Sequence, residues 1–160
     1  MSFFRSRKVA PVPSDFLLEC KDLVRHYGQI KPVDGVSLNL RPHELLSILG
    51  PPGCGKSTLL NLIAGLDAPQ AGEIFIGGEE MSSVHLIVAP ELRRVGMVFQ
   101  DIALFPHLNV FKNVAYGLNG SKDEKRSRVE EMLKLVELSG SEKKMPHELS
   151  GGEQQRIAIA

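Results

Sequence analysis

The stretch Gly50-Pro51-Pro52-Gly53-Cys54-Gly55-Lys56-Ser57-Thr58 constrains this chain more than any other. It fits the pattern G-x-x-x-x-G-K-[ST], and both of its flanks suit that pattern. Upstream, Leu45-Leu46-Ser47-Ile48-Leu49 is short, apolar and bounded by turn residues, which predicts a buried strand. Downstream, Ser57 to Ala64 reads as a helix, with Gly65 placed as its stop. Strand, glycine loop and helix in succession bring unpaired amides and the positive end of a helix dipole to one point. Such a point holds a dense anion, and a nucleoside triphosphate is the anion this pattern serves. Gly53 and Gly55 let the backbone approach without a Cβ in the way. Pro51 and Pro52 have no N–H, so the donors are expected from the amides of Gly53 to Thr58. Lys56 would reach the β- and γ-phosphates as a point charge, and the Ser57 hydroxyl would ligate Mg²⁺. The bland alternative is a glycine-rich turn that precedes a lysine by chance, and the two flanks count against it.

Composition narrows the class. The chain has 160 residues, enough for one ordinary domain with a sizeable core. Its formal net charge is zero, so no global field recruits nucleic acid or anionic lipid, and no nucleic-acid partner is expected. Of the two cysteines, Cys54 lies in the glycine loop, where a disulfide would obstruct the site, so both read as free thiols. No apolar run reaches the roughly 20 residues needed to span a bilayer.

Along the chain, residues 1–15 read as a frayed tail, with Phe3, Phe4 and the basic Arg5, Arg7 and Lys8 offering at most a weak membrane-surface contact. Phe16–Val24 and Pro32–Leu40 read as strands joined by a turn at Arg25-His26-Tyr27-Gly28. Arg41–Glu44 is a turn, Asp67–Gly72 another, and Glu73–Ile76 a half-exposed strand ended by Gly77-Gly78. Met81–Leu92 has no regular pattern. Val95–Phe99 reads as a second buried strand, ending at the polar Gln100, where α/β proteins place ligand contacts. Val110–Leu118 predicts a short helix, and Ser121-x-x-Glu124 is a capping box for a longer one. That helix buries Val129, Met132, Leu133 and Val136, solvates Arg126, Arg128, Glu130, Glu131 and Lys134, and stops at Ser139-Gly140.

A second constellation closes the chain at Leu149-Ser150-Gly151-Gly152-Glu153-Gln154-Gln155-Arg156. Ser150-x-x-Glu153 is again a capping box. Glycine costs about 1 kcal/mol against alanine inside a helix and less at its end. Two in the first turn point either to a loosely wound start or to a helix end whose bare amides meet an anion closely.

The Gly50–Thr58 loop, Gln100 and the Leu149–Arg156 stretch, in this order and at domain-scale spacing, closely resemble the ATP-binding subunits of ABC transporters. The resemblance covers roughly residues 16–160. It implies an α/β fold: a P-loop NTPase core with an N-terminal antiparallel β portion and a helical subdomain at about 101–156. It implies ATP and Mg²⁺ as ligands. By resemblance, Tyr27 stacks on adenine, residues Gly50, Pro51, Pro52, Gly53, Cys54, Gly55, Lys56, Ser57 and Thr58 form the phosphate loop, and Gln100 contacts Mg²⁺ and the attacking water. Ser150, Gly151, Gly152 and Gln154 face the γ-phosphate of an ATP held by a second subunit in a head-to-tail dimer. The catalytic roles fall on Lys56 and Gln100, the metal ligands on Ser57 and Gln100. The segment after Gln100, with Phe105, Pro106 and His107, is the implied seat of a transmembrane permease, itself served by a substrate-binding protein. That implies a peripheral place on the cytoplasmic face of the inner membrane. Ala103–Val110 and Asn113–Leu118 are similar to importers of the ferric-iron, polyamine, sulfate and sugar groups, with ferric iron put first.

The chain departs from that family where it ends, within the signature helix. The family expects an apolar strand ending in Asp-Glu, then a switch histidine, beyond this point. None of His26, His43, His85, His107 and His147 follows such a strand. The absent strand would pair beside Leu45–Leu49, so that segment is expected to show an unpaired edge and an uncovered face. The 160-residue chain by itself is expected to be marginally stable, to bind ATP weakly at best and not to hydrolyse it. A non-catalytic nucleotide-binding fragment and a soluble non-transport ATPase of the same family stand as alternatives.

Overall fold

The structure, a computed structural model, describes residues 15–99 and 104–160. The chain divides into two compact units, the first ending at Gly96 and the second spanning Met97–Ala160.

The first unit is an antiparallel sheet with one helix. Strand β1 (Leu18–Tyr27) pairs with β2 (Ile30–Leu40) on one side and with β3 (Ala71–Ile76) on the other, and β4 (Glu79–Ser82) closes the order β2-β1-β3-β4. Tyr27 pairs with Ile30, so the reversal falls at Gly28-Gln29. The predicted turn at 25–28 is therefore mostly strand: Arg25 and Tyr27 stay in the ladder. A bulge after Cys20, with the amide of Asp22 donating to Ser37 Oγ at 2.8 Å, breaks the two-residue alternation. It lets Cys20 and Leu23 both point into the core. Strand β4 was hidden in sequence because Glu79-Glu80 masks its apolar face. The Gly77-Gly78 reversal is what marks it.

Helix α1 (Lys56–Ala64) packs Leu59, Leu62 and Ile63 against Cys20, Leu23, Val33, Ile74 and Met81. It ends at Gly65, as expected from sequence, in a left-handed conformation. Arg93 is 1% exposed. Its guanidinium donates to the carbonyls of Leu62 and Ile63 at the end of α1, and to Val88 O, Met81 O and Ser82 Oγ. One cation thus pins the helix end to β4.

The two predicted buried strands, Leu45–Leu49 and Val95–Phe99, are not strands here. Leu45 is 91% and Leu49 90% exposed, and only Ile48 touches the core. Val98 and Phe99 are also exposed. The apolar run states what such a segment needs on its faces. A strand exists only where a neighbour supplies the ladder, and the four-stranded sheet does not extend to either segment. The uncovered face expected at Leu45–Leu49 is present.

The second unit is helical. Helices α2 (Val110–Val114), α3 (Lys122–Leu135) and α4 (Gly151–Ile159) share a core of Val110, Val129, Leu133, Leu138, Leu149 and Ile157. Ser121 and Glu124 make the predicted capping box on α3. The helix stops earlier than Gly140, because Glu137 already takes a positive φ of 59° and Leu138 turns back to the core. Arg126–Glu130 and Arg128–Glu131 pair on the solvated face. The α2 amides of Val110 and Phe111 donate to the carbonyls of Lys144 and Glu142, which ties the loop before α4 to α2.

Candidate nucleotide site

The glycine loop runs into the N-terminus of α1 with Gly55 as the cap residue, at φ 98°. A Cβ there would lie 1.9 Å from the carbonyl oxygen of Pro32 in β2. Glycine is thus required twice, for the left-handed turn and for the close seat of loop on strand. The first helical bond is from Leu59 N to Gly55 O at 2.9 Å. The amides of Lys56, Ser57 and Thr58 therefore have no helical partner and face outward with the dipole's positive end. Cys54 departs from the expected set of donors, since its amide bonds the Pro51 carbonyl at 3.3 Å in a turn of the loop itself.

Lys56 lies back over the loop. Its Nζ donates to the carbonyls of Gly50 and Pro51, both at 2.8 Å, and lies 3.5 Å from Cys54 Sγ. The cation is held at the mouth of the loop by neutral acceptors only. A phosphate oxygen would offer it a charged acceptor, about twice as strong. Residues 50–54 and Ser57 are exposed, so the loop mouth is open.

Tyr27 closes β1 on the same unit. Its hydroxyl donates to Asp67 Oδ2, and the Arg25 guanidinium lies 4.8 Å from the ring centroid. Arg25 also bonds Asp67 at 2.8 Å and 3.0 Å. Burial works to raise the Asp67 pKa, but the Tyr27 hydroxyl, the Ala68 amide and Arg25 outweigh it and hold the carboxyl below its usual range. Sequence reasoning singled out Tyr27 but missed Arg25 and Asp67, which are 42 residues apart and meet only through the α1–β3 connection.

In the second unit, Ser150 caps α4 and forms the predicted box with Glu153. Gly151 and Gly152 are exposed, and nothing within 4 Å would meet a Cβ at either. The first-turn amides of α4 are bare on that side. Gln154 does not point its amide nitrogen outward: it donates to the carbonyls of Pro146 and Leu149 at 3.0 Å and 3.1 Å. It secures the turn that carries Ser150. Asn113, which the sequence did not single out, organises the Leu104–Leu108 loop. Its amide bonds Phe105 N at 2.8 Å and Leu108 O at 2.9 Å, and Phe105 stacks on Tyr116 at 4.4 Å. Phe99, Phe105, Val114 and Ile157 help line a cavity of about 340 Å³ in this unit. Gln100 lies outside the described residues, as do Ala103 and the N-terminal Phe3 and Phe4.

Among the described residues no helix is long and apolar enough to cross a membrane, and no group of three or more His, Cys, Asp or Glu is disposed to hold a metal ion.

Residues 33–160 match the ABC transporter family model, and the chain belongs to that family. It is 46% identical over 147 residues to the sulfate/thiosulfate import ATP-binding protein CysA of Neisseria meningitidis serogroup A, covering 88% of this chain and 40% of that protein. It is 48% identical over 149 residues to the spermidine/putrescine import ATP-binding protein PotA of Clostridium acetobutylicum, covering 91% and 41%. Against the Fe(3+) ions import ATP-binding protein FbpC of Brucella abortus it is 47% identical over 143 residues, covering 88% and 39%. The chain thus spans about 40% of the length of the curated relatives it matches. Among solved structures it is similar to a dimeric ATP-binding cassette in a post-hydrolysis state bound to ADP and Pi. There the TM-score is 0.77 at 36% identity, covering 89% of this chain and 67% of that one. The α/β fold of ABC ATPase cassettes expected from sequence is therefore present.

Proposed function

We propose that the chain is the nucleotide-binding part of an ATPase subunit that energises an ABC importer. The observation that carries this reading is the open N-terminal turn of α1, where Lys56, Ser57 and Thr58 keep unpartnered amides and Lys56 Nζ rests on two neutral carbonyls. That arrangement exchanges weak acceptors for phosphate oxygens with little reorganisation. The importer reading is supported by the names of the relatives, each an import ATP-binding protein.

In this reading ATP lies with its phosphates on residues 50–58 and its base against Tyr27. Ser57, exposed in the first turn of α1, fits a hard cation as a neutral oxygen donor, and Gln100 would be its second protein ligand. The ion would supply neutralising charge for the phosphates. Lys56 stabilises the γ-phosphoryl group as it departs, and Gln100 orients the attacking water. Ser150, Gly151 and Gly152 receive the γ-phosphate of an ATP held by a second subunit, with Gln154 bracing the turn behind them. ATP therefore draws two subunits together head to tail, and its hydrolysis releases them. The dimeric state of the similar solved cassette supports that step. The permease docks by the segment after Gln100, around Phe105 and His107, a substrate-binding protein delivers cargo to it, and the subunit sits on the cytoplasmic face of the membrane. A small inorganic ion such as ferric iron is the cargo we put forward, with the FbpC relative in support. Equilibrium ATP binding tests the core of this. Lys56→Ala is expected to weaken ATP at least tenfold, and an unchanged affinity would refute the phosphate-loop assignment.

A further inference from the structure

We propose that Arg25, Asp67 and Gln70 are positioning residues that hold Tyr27 as a rigid, one-sided platform for a purine base. The proposal rests on reading the phosphate loop as a nucleoside triphosphate site.

Three restraints converge on residues 25–27, two of them through the Asp67 carboxylate. The Tyr27 hydroxyl is tied to Asp67, which fixes where the tip of the ring lies. Arg25 lies over the ring at 4.8 Å while bonded to both Asp67 oxygens, so one ring face is covered by a guanidinium that is itself anchored. Tyr27 remains 46% exposed, so with the guanidinium on one face the ring still has surface open to a ligand. Gln70 holds the backbone: its Oε1 accepts from His26 N at 2.6 Å and its Nε2 donates to His26 O at 3.3 Å. A side chain thereby imitates a neighbouring strand at the residue before Tyr27, and Gln70 N further donates to Val24 O at 2.8 Å.

Asp67 and Gln70 both belong to the connection that leaves α1. That connection is bonded to the helix through Leu66 N and Asp67 N, which both donate to Asn61 O. The helix that offers its first turn to the phosphates therefore also sets, through its last turn, where Tyr27 stands. α1 has nine residues and is about 13 Å long, so the spacing between phosphate loop and platform is set by a rigid rod. A preordered ring loses less side-chain freedom when a base stacks on it. A guanidinium on the far face also draws electron density from the ring, which favours an electron-rich purine on the near one.

The test compares ATP with inorganic tripolyphosphate, which carries the phosphates without a base, using the full 160-residue chain and equilibrium binding. Tyr27→Ala is expected to weaken ATP about tenfold and leave tripolyphosphate unchanged. Asp67→Asn and Arg25→Met are each expected to weaken ATP about threefold, again without effect on tripolyphosphate. Asp67→Asn should have no further effect in a Tyr27→Ala background, because it acts through that ring. An Asp67→Asn variant that weakens both ligands alike, or that leaves ATP binding unchanged, overturns the proposal. If Tyr27→Ala does not separate the two ligands, the platform falls while the phosphate site stands. If the unsubstituted chain binds neither ligand, the nucleotide reading falls and takes the platform with it.

Discussion

Arg93→Met should cost the first unit about 3 kcal/mol. The guanidinium makes contacts at 2.9 Å to Val88 O, 3.0 Å to Leu62 O and Ile63 O, 3.1 Å to Met81 O and 2.5 Å to Ser82 Oγ. Two effects oppose each other. Burial penalises the charged form and pulls the Arg93 pKa down, so removing the charge relieves a desolvation cost. Methionine fills much of the same space, which limits the cavity. Against this stand the acceptors. Four of the five are backbone carbonyls, which no substitution at position 93 can remove. Leu62 O keeps a bond from Gly65 N, and Met81 O keeps one from Val88 N. Ile63 O and Val88 O lose the donor that Arg93 supplies, at about 1–3 kcal/mol per orphaned group. The acceptors win, because a buried hydrogen-bonded group can be exchanged for an apolar one at little cost only when both partners go. With a urea m-value of about 1.5–2 kcal/mol/M, the midpoint should fall by about 1.5–2 M, read by far-ultraviolet circular dichroism. Gly65→Ala is a second probe of the same contact, since its Cβ would meet Arg93 Nε at 2.3 Å. A shift below about 0.3 M for Arg93→Met, or a rise, would refute the argument that the carbonyls depend on this cation.

Other outcomes follow from the same structure. Burial, aided by the charge of Glu19, pushes the Cys20 thiol up to about 12, whereas Cys54 is exposed. A thiol reagent at pH 8 should titrate one cysteine in the native chain and two in denaturant, and two fast native thiols would contradict the buried position of Cys20. The Asp67 carboxyl is held below its usual range, so its contribution to stability is complete above the unfolded carboxylate pKa of about 3.9 and is lost as pH falls through the lower folded value. The stability gap between the unsubstituted chain and Asp67→Asn should stay level from neutral pH to about 5 and narrow below 4. A gap that instead widened on acidification would reverse that sign. Asn113→Ala removes the bonds to Phe105 and Leu108, so hydrogen exchange should accelerate at the Phe105 amide and leave β1 and β3 untouched. Uniform acceleration across both units would show that Asn113 holds more than its loop.

What the sequence determined is local, and it is local because the chemistry is. The Gly50–Thr58 pattern required a loop running into a helix, and Gly65 required that helix to stop, which it does. Ser121 and Ser150 required capped helix starts three residues before a glutamate, and both boxes form. These depend on bonds within one turn of chain. Tertiary structure decided the rest. It placed Asp67 under Tyr27 and Arg93 under the end of α1, pairings 40 and 31 residues apart that no spacing rule announces. It kept Tyr27 in β1, because the ladder to Ile30 outlasts the turn residues, and it left Leu45–Leu49 exposed, because an apolar run becomes a strand only beside a partner. Hydrogen bonds within a turn are written in order along the chain. The neighbours that cover a face are supplied by the fold.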